Sequence, residues 1–161
     1  MKLFIAPWST VWNIFNSFQQ YIKHVESVGY RLTPKAPNYV ISFAEKLLKI
    51  GGSSVVVLKA EKAWTKPLFK MARGFRNFTV RVKPMEAHEC HWEVLKMWQA
   101  YPQTLHVVTG YVLVGDTWLS HSWLVNFSKR KIIDPRGKGN NYFGWVIDHA
   151  DMPEYIKALG E

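Results

Sequence analysis

Cys90 is the only cysteine in this 161-residue chain, and the residues after it have the types that thiol chemistry needs. It lies in His88-Glu89-Cys90-His91-Trp92-Glu93. His121 follows in Leu119-Ser120-His121-Ser122-Trp123, and Asp134 in Lys131-Ile132-Ile133-Asp134-Pro135. A thiol attacks a carbonyl only as thiolate. A base must take its proton, and a third group must hold the base in the right tautomer. Cys90, His121 and Asp134 supply one residue of each kind. A lone cysteine on an amphipathic helix serves equally well as a small core residue. The matching histidine and aspartate are what single it out. Asn126 and Asp148 are the alternatives to Asp134.

These residues need elements that aim them. The segment after Pro84 reads as a helix that stops before Pro102, because a residue preceding proline leaves the helical region. Cys90 stands near the start of that helix, where the macrodipole favours a thiolate and where the N–H groups of Cys90 and His91 are available to an oxyanion. Leu105 to Val114, Thr117 to Phe127 and Arg130 to Asp134 read as successive strands, with turns at Gly115-Asp116 and near Ser128-Lys129. If Ser128-Lys129 closes the second hairpin, Asp134 falls opposite Trp123 and is the diagonal same-face neighbour of His121. Tyr111, Trp118 and Trp123 are the candidate walls of a substrate cleft.

Upstream, Val11 to Val25 has helical spacing, and Tyr39 to Ile50 reads as a helix ended by Gly51-Gly52. Ser53 to Leu58 reads as a buried strand, and Asn77 to Lys83 as a half-buried one. Glu61 to Gly74 has a helical turn near Pro67. Gly137 to Asn141 reads as a flexible loop able to gate a cleft, Tyr142 to Ile147 as a last strand, and the residues after Asp151 as a short helix. The expected architecture is α+β: N-terminal helices and a cysteine-bearing helix packed on an antiparallel sheet, in one domain spanning 1–161.

The string His121-Ser122-Trp123-Leu124-Val125, a short hairpin and Ile133-Asp134-Pro135 resembles the His-Ala-Trp-Val…Val-Asp-Pro pattern of transglutaminase-like proteins. With the upstream cysteine, the order Cys–His–Asp is similar to the wider papain-like superfamily. The resemblance covers about Met85 to Pro135. It implies a papain-like fold, with Cys90 as nucleophile, His121 as base and Asp134 as orienting acid. It further implies a hydrolase or acyltransferase acting on an amide, thioester or isopeptide-type carbonyl of a peptide, protein or small acyl substrate. His91 separates Cys90 from Trp92, whereas the family places tryptophan directly after the cysteine, so calcium-dependent crosslinking does not follow.

No cofactor is expected. One cysteine and no Cys-x-x-Cys give no zinc pattern, although His88, Cys90 and His91 lie close in sequence. Gly137-Lys138-Gly139 lacks the spacing of a phosphate loop. Residues Met1 to Trp8 are interrupted by Pro7 and lack a cleavage site, so neither a signal peptide nor a membrane span is expected, and a cytoplasmic location is.

The formal net charge is +9. Lys59, Lys62, Lys66, Lys70, Arg73, Arg76, Arg81 and Lys83 face only Glu61 in their segment, and Lys129, Arg130, Lys131, Arg136 and Lys138 form a second cluster. Such patches suit an anionic partner, nucleic acid, an acidic protein or an anionic membrane, as well as plain solvation. A non-enzymatic binding protein using Lys59 to Lys83 is therefore the rival to the thiol enzyme.

Overall fold

The computed structural model describes residues 2–7, 38–59, 68, 70–83 and 90–160, with side chains described over 38–56, 68, 70–83 and 91–159. Its strands are β1 (Lys2–Pro7), β2 (Ser54–Lys59), β3 (Arg73–Gly74), β4 (Thr79–Val82), β5 (His106–Val114), β6 (Thr117–Asn126), β7 (Lys131–Asp134) and β8 (Asn141–Val146). Its helices are α1 (Asn38–Ile50), α2 (Cys90–Ala100) and α3 (Met152–Gly160), the last preceded by one 3-10 turn, His149–Asp151. The α+β reading holds. The expected helix over 11–25 lies outside the described residues. Among those described, no helix is long and apolar enough to cross a membrane.

β5 and β6 form the spine. Gly115, at φ 61°, makes the tight turn between them and fixes the register Val114↔Thr117 through His106↔Val125; that left-handed conformation suits a residue without Cβ. β8 lies antiparallel on the other side of β5, and β7 folds back antiparallel on β6. The expectation of a purely antiparallel sheet is corrected: β1 pairs with β2, β2 with β6, and β4 with β7, all in parallel. Alternation along a strand reports its faces and not its neighbours, and these parallel partners are far apart in sequence.

Alternation then sorts the core into two layers. Val107, Tyr111, Leu113, Trp118, Leu124 and Phe143 point to one face, where α1 packs with Phe43 and Leu47, α2 with Val94 and Leu95, and α3 with Met152 and Tyr155. Val108, Val112, Leu119, Trp123, Val125, Ile132 and Tyr142 point to the other, which Phe75 joins. The three described helices thus contribute to one layer. Gly110 and Gly144 face each other across β5 and β8. A Cβ on Gly110 would stand 2.3 Å from the Phe143 carbonyl oxygen, so the close approach of these strands requires glycine there.

The sheet forks beside β6. On the edge of β6 away from β5, β2 pairs with Thr117 to Leu119 and β7 with Leu124 to Asn126. Between these two ladders the strand runs through Ser120, His121, Ser122 and Trp123.

Candidate functional site

His121 and Asp134 meet. The hairpin loop is longer than two residues, but Asn126↔Lys131 and Leu124↔Ile133 give the register expected of a Ser128-Lys129 centre. Asp134 therefore projects on the same face as His121, and both are 0% exposed. His121 Nε2 lies 2.8 Å from Asp134 Oδ1. The same oxygen accepts the N–H groups of Arg136 at 2.8 Å and Gly137 at 3.2 Å, and Oδ2 accepts the Tyr142 hydroxyl at 2.9 Å. Burial opposes ionisation of Asp134, but the His121 charge and these donors outweigh it and hold the carboxyl below its usual range. A carboxylate can only accept, so Nε2 carries the hydrogen and, in the neutral ring, Nδ1 carries the lone pair.

Tyr142 was not foreseen as part of this group. Burial first, and the Asp134 charge second, push its hydroxyl well above the usual tyrosine range, so it stays a donor. It also accepts the Gly139 N–H at 2.9 Å. The loop expected to be flexible is thus tied at Gly137 and Gly139, and Gly139 is buried against Val112. Nothing in the sequence pointed to Tyr142. Its role depends on β8 pairing with β5, a contact between strands that are not consecutive.

Cys90 and His91 open the described part of α2, and the N–H groups of a helix's first turn are the ones available to an external acceptor. The Cys90 side chain lies outside the described residues, as does His88. His91 is buried, its Nδ1 in contact with Ser122 Oγ and 3.2 Å from the Tyr155 hydroxyl. Ser122 in turn donates to Thr109 Oγ1 at 3.1 Å. Burial, with a smaller contribution from the His121 charge, lowers His91 to a pKa of about 3. His91 is therefore neutral near pH 7 and supplies no positive charge to a thiolate.

The helix and the His121–Asp134 pair are on opposite faces. Val94 and Leu95 pack in the layer of Trp118 and Leu124, whereas His121 shares the face of Leu119 and Trp123 and lies 6.2 Å from the Trp123 ring. Across the sheet, His91 touches Ser122, the residue that follows His121. A second link runs from α2 to the Asp134 loop: Glu93, 1% exposed, has Oε2 3.8 Å from Arg136 Nε.

The residues expected as cleft walls fall in both layers of the core. Tyr111, Trp118 and Trp123 are buried, the first two in the helix-side layer and Trp123 in the other. Tyr111 packs on Phe43, and Trp118 Nε1 donates to the Gly51 carbonyl at 2.8 Å. Large aromatic side chains on central strands fill the core before they line a cleft. Asn126 caps its own turn, accepting from Ser128 Oγ and the Lys129 N–H, and Asp148 precedes the 3-10 turn, so neither takes the place of Asp134. Of the basic residues, Lys70, Arg73 and Arg76 are exposed; Lys62, Lys66 and the side chain of Lys59 lie outside the described residues. Among the described residues no three His, Cys, Asp or Glu side chains converge as metal ligands.

Comparison with protein families, with characterised proteins and with solved structures returns no match for this chain.

Proposed function

We propose that the protein is a thiol-dependent hydrolase or acyltransferase of the papain-like, transglutaminase-like kind, in which Cys90 attacks an amide, thioester or isopeptide-type carbonyl. His121 Nδ1 takes the thiol proton, and the sulfur adds to the carbonyl carbon. The resulting oxyanion is held by the N–H groups at the start of α2. Collapse of the adduct expels the amine or thiol leaving group, which takes the proton back from Nδ1 and leaves a thioester on Cys90. Water or a second nucleophile then resolves that thioester, with His121 again accepting and returning a proton. The observation that carries this reading is the buried contact of His121 Nε2 with Asp134 Oδ1, which supports an imidazole oriented so that Nδ1 is the nitrogen that exchanges the proton. Because His121 lies across the sheet from the body of α2, the thiol has to meet it through the fork beside Ser120 to Trp123.

The test is the rate of alkylation of Cys90 by iodoacetamide as a function of pH. No other thiol is present to confuse the readout. A rate plateau reached below pH 7.5 or so is expected for an activated thiol, since free cysteine ionises near pH 8.5. His121→Ala should move the midpoint up by about one unit or more, with the fold intact by circular dichroism. A Cys90 that is inert in the folded protein and labelled only on unfolding would overturn the proposal.

A further inference from the structure

The parallel pairing of β4 with β7 joins two basic segments that are distant in sequence. Thr79 lies against Lys131 and Arg81 against Ile133. The Thr79 N–H donates to the Arg130 carbonyl, and the Arg130 guanidinium donates to the carbonyls of Asn77 at 3.3 Å and Arg76 at 3.4 Å. Arg76, Arg81, Lys83, Lys129, Arg130 and Lys131 are all exposed along this one margin of the sheet. Residues 70–83 and 126–133 contain no Asp or Glu. Asp134, next in the chain, is buried and hydrogen-bonded on both oxygens.

Aromatic rings lie on the Phe75 face of this margin, beneath Arg73 and Arg130 and across the edge strand from Arg81 and Lys131. Arg73 lies over Phe75 at 5.7 Å and Phe127 at 5.2 Å, and Arg130 over Phe78 at 5.1 Å. Phe78 and Phe127 meet edge to face at 6.1 Å and are only partly buried. We infer that the β4–β7 margin, with the Arg73 and Arg130 guanidinium groups over Phe127 and Phe78, is a binding surface for single-stranded nucleic acid. Cations along a strand neutralise a phosphate backbone, while the guanidinium planes seated on Phe78 and Phe127 offer stacking faces to unpaired bases. Same-side cations such as Arg81 and Lys83 recur every two residues, about 6.6 Å apart, as a ladder suited to an extended polyanion. A membrane surface would be met by several apolar side chains standing clear of the cations; here Val82 is exposed on β4, but Phe75 is buried and Phe78 and Phe127 lie beneath guanidinium groups. This surface is independent of Cys90 chemistry.

Fluorescence anisotropy of a labelled 20-nucleotide oligo(dT) with the full chain tests it over a salt series. Binding is expected, with log Kd rising with log salt at a slope of about 3 if four or five phosphates are neutralised. The triple variant R76E/R81E/K131E should bind at least tenfold more weakly. The variant K49E/K96E/K157E, which changes net charge equally at exposed sites on α1, α2 and α3, should stay within about twofold. An abasic strand of the same length should bind several-fold more weakly than oligo(dT). Equal loss in the two triple variants would reduce the effect to net charge and overturn the site. An abasic strand, poly-glutamate or anionic vesicles competing as well as oligo(dT) would overturn single-stranded nucleic acid as the ligand, and so would absence of binding at low salt. Thermal melts of both variants separate lost binding from lost folding.

Discussion

Tyr142 donates its hydroxyl to Asp134 Oδ2, the oxygen that His121 does not use. The carboxylate is thereby gripped from β6 and β8 at once, and its own loop closes the remaining side through the Arg136 and Gly137 N–H groups. Each donor lowers the cost of keeping a charge in the core, and each is geometrically tied to the others.

Removing the tyrosine hydroxyl should therefore do two things. Tyr142→Phe leaves the ring in place but takes one hydrogen bond from a buried carboxylate, which should cost about 2 kcal/mol in urea denaturation at pH 7. It should also raise the Asp134 pKa. A carboxyl held below its unfolded value contributes stability that is present above that value and is lost as pH falls through the lower, folded one. The wild-type advantage over Tyr142→Phe should thus be full above about pH 4 and shrink below it. A gap between the two proteins that stays constant down to pH 3 would show that the hydroxyl acts only on packing.

His91 gives the opposite kind of group: a base kept neutral by burial, with a pKa of about 3 against 6.5 for the free side chain. Between those values the unfolded chain binds a proton that the folded chain refuses. Stability should then rise with pH across this window and fall on acidification, by about 1.4 kcal/mol per unit for this one residue. His91→Gln keeps a polar group near Ser122 but removes the titration. It should lower stability at pH 7 and flatten the slope between pH 4 and 6. An unchanged slope in His91→Gln would mean that the acid sensitivity resides elsewhere.

How much of this could be read from the residues depends on the range of the interactions. The β5–β6–β7 meander was legible because each strand alternates and each turn is local. The same alternation put Asp134 on the face of His121, and the register holds even though the loop runs over four residues. The helix starting at Cys90 was legible from Pro84 and Pro102. What was not legible is everything set by contacts between distant strands: the parallel placing of β1, β2 and β4, the fork beside His121, and the arrival of Tyr142 at Asp134. The side of the sheet taken by a helix is of that kind too. The sequence puts cysteine and histidine in order but does not say that α2 packs behind the strand that carries His121. Tyr111, Trp118 and Trp123 show the same limit. Their size suggested cleft walls, yet central strands buried on both faces leave large side chains nowhere but the core.

Gly144 is the residue that makes room for Trp123 next to His121. A Cβ placed there would stand 2.8 Å from Trp123 Cη2 and 2.8 Å from the Thr109 carbonyl oxygen, and the second contact is backbone that cannot swing away. Gly144→Ala should cost about 1–3 kcal/mol and change the near-ultraviolet circular dichroism of the buried indole. Gly74→Ala is the control, because its nearest neighbour would be Phe143 Cδ2 at an ordinary 4.0 Å. If both substitutions prove equally mild, β5 and β8 separate more readily than their close approach implies.

Glu93 and Arg136 tie α2 to the loop that holds Asp134, and the pair should behave as a unit. Their charged atoms are 3.8 Å apart, with the Glu93 side chain 2% and the Arg136 side chain 11% exposed. At that burial the attraction does little more than offset desolvation, whereas one partner left alone is strongly unfavourable. Arg136→Met should thus cost about 3 kcal/mol at pH 7, near the lower end for buried pairs because the contact is long. Adding Glu93→Gln should return part of that loss, since it removes the carboxylate that faced Arg136. The Arg136 N–H that binds Asp134 is backbone and survives in both variants, so thiol reactivity in the double variant should track its recovered stability. A double-mutant cycle in which the two losses simply add would show that α2 is not coupled to the Asp134 loop through this pair.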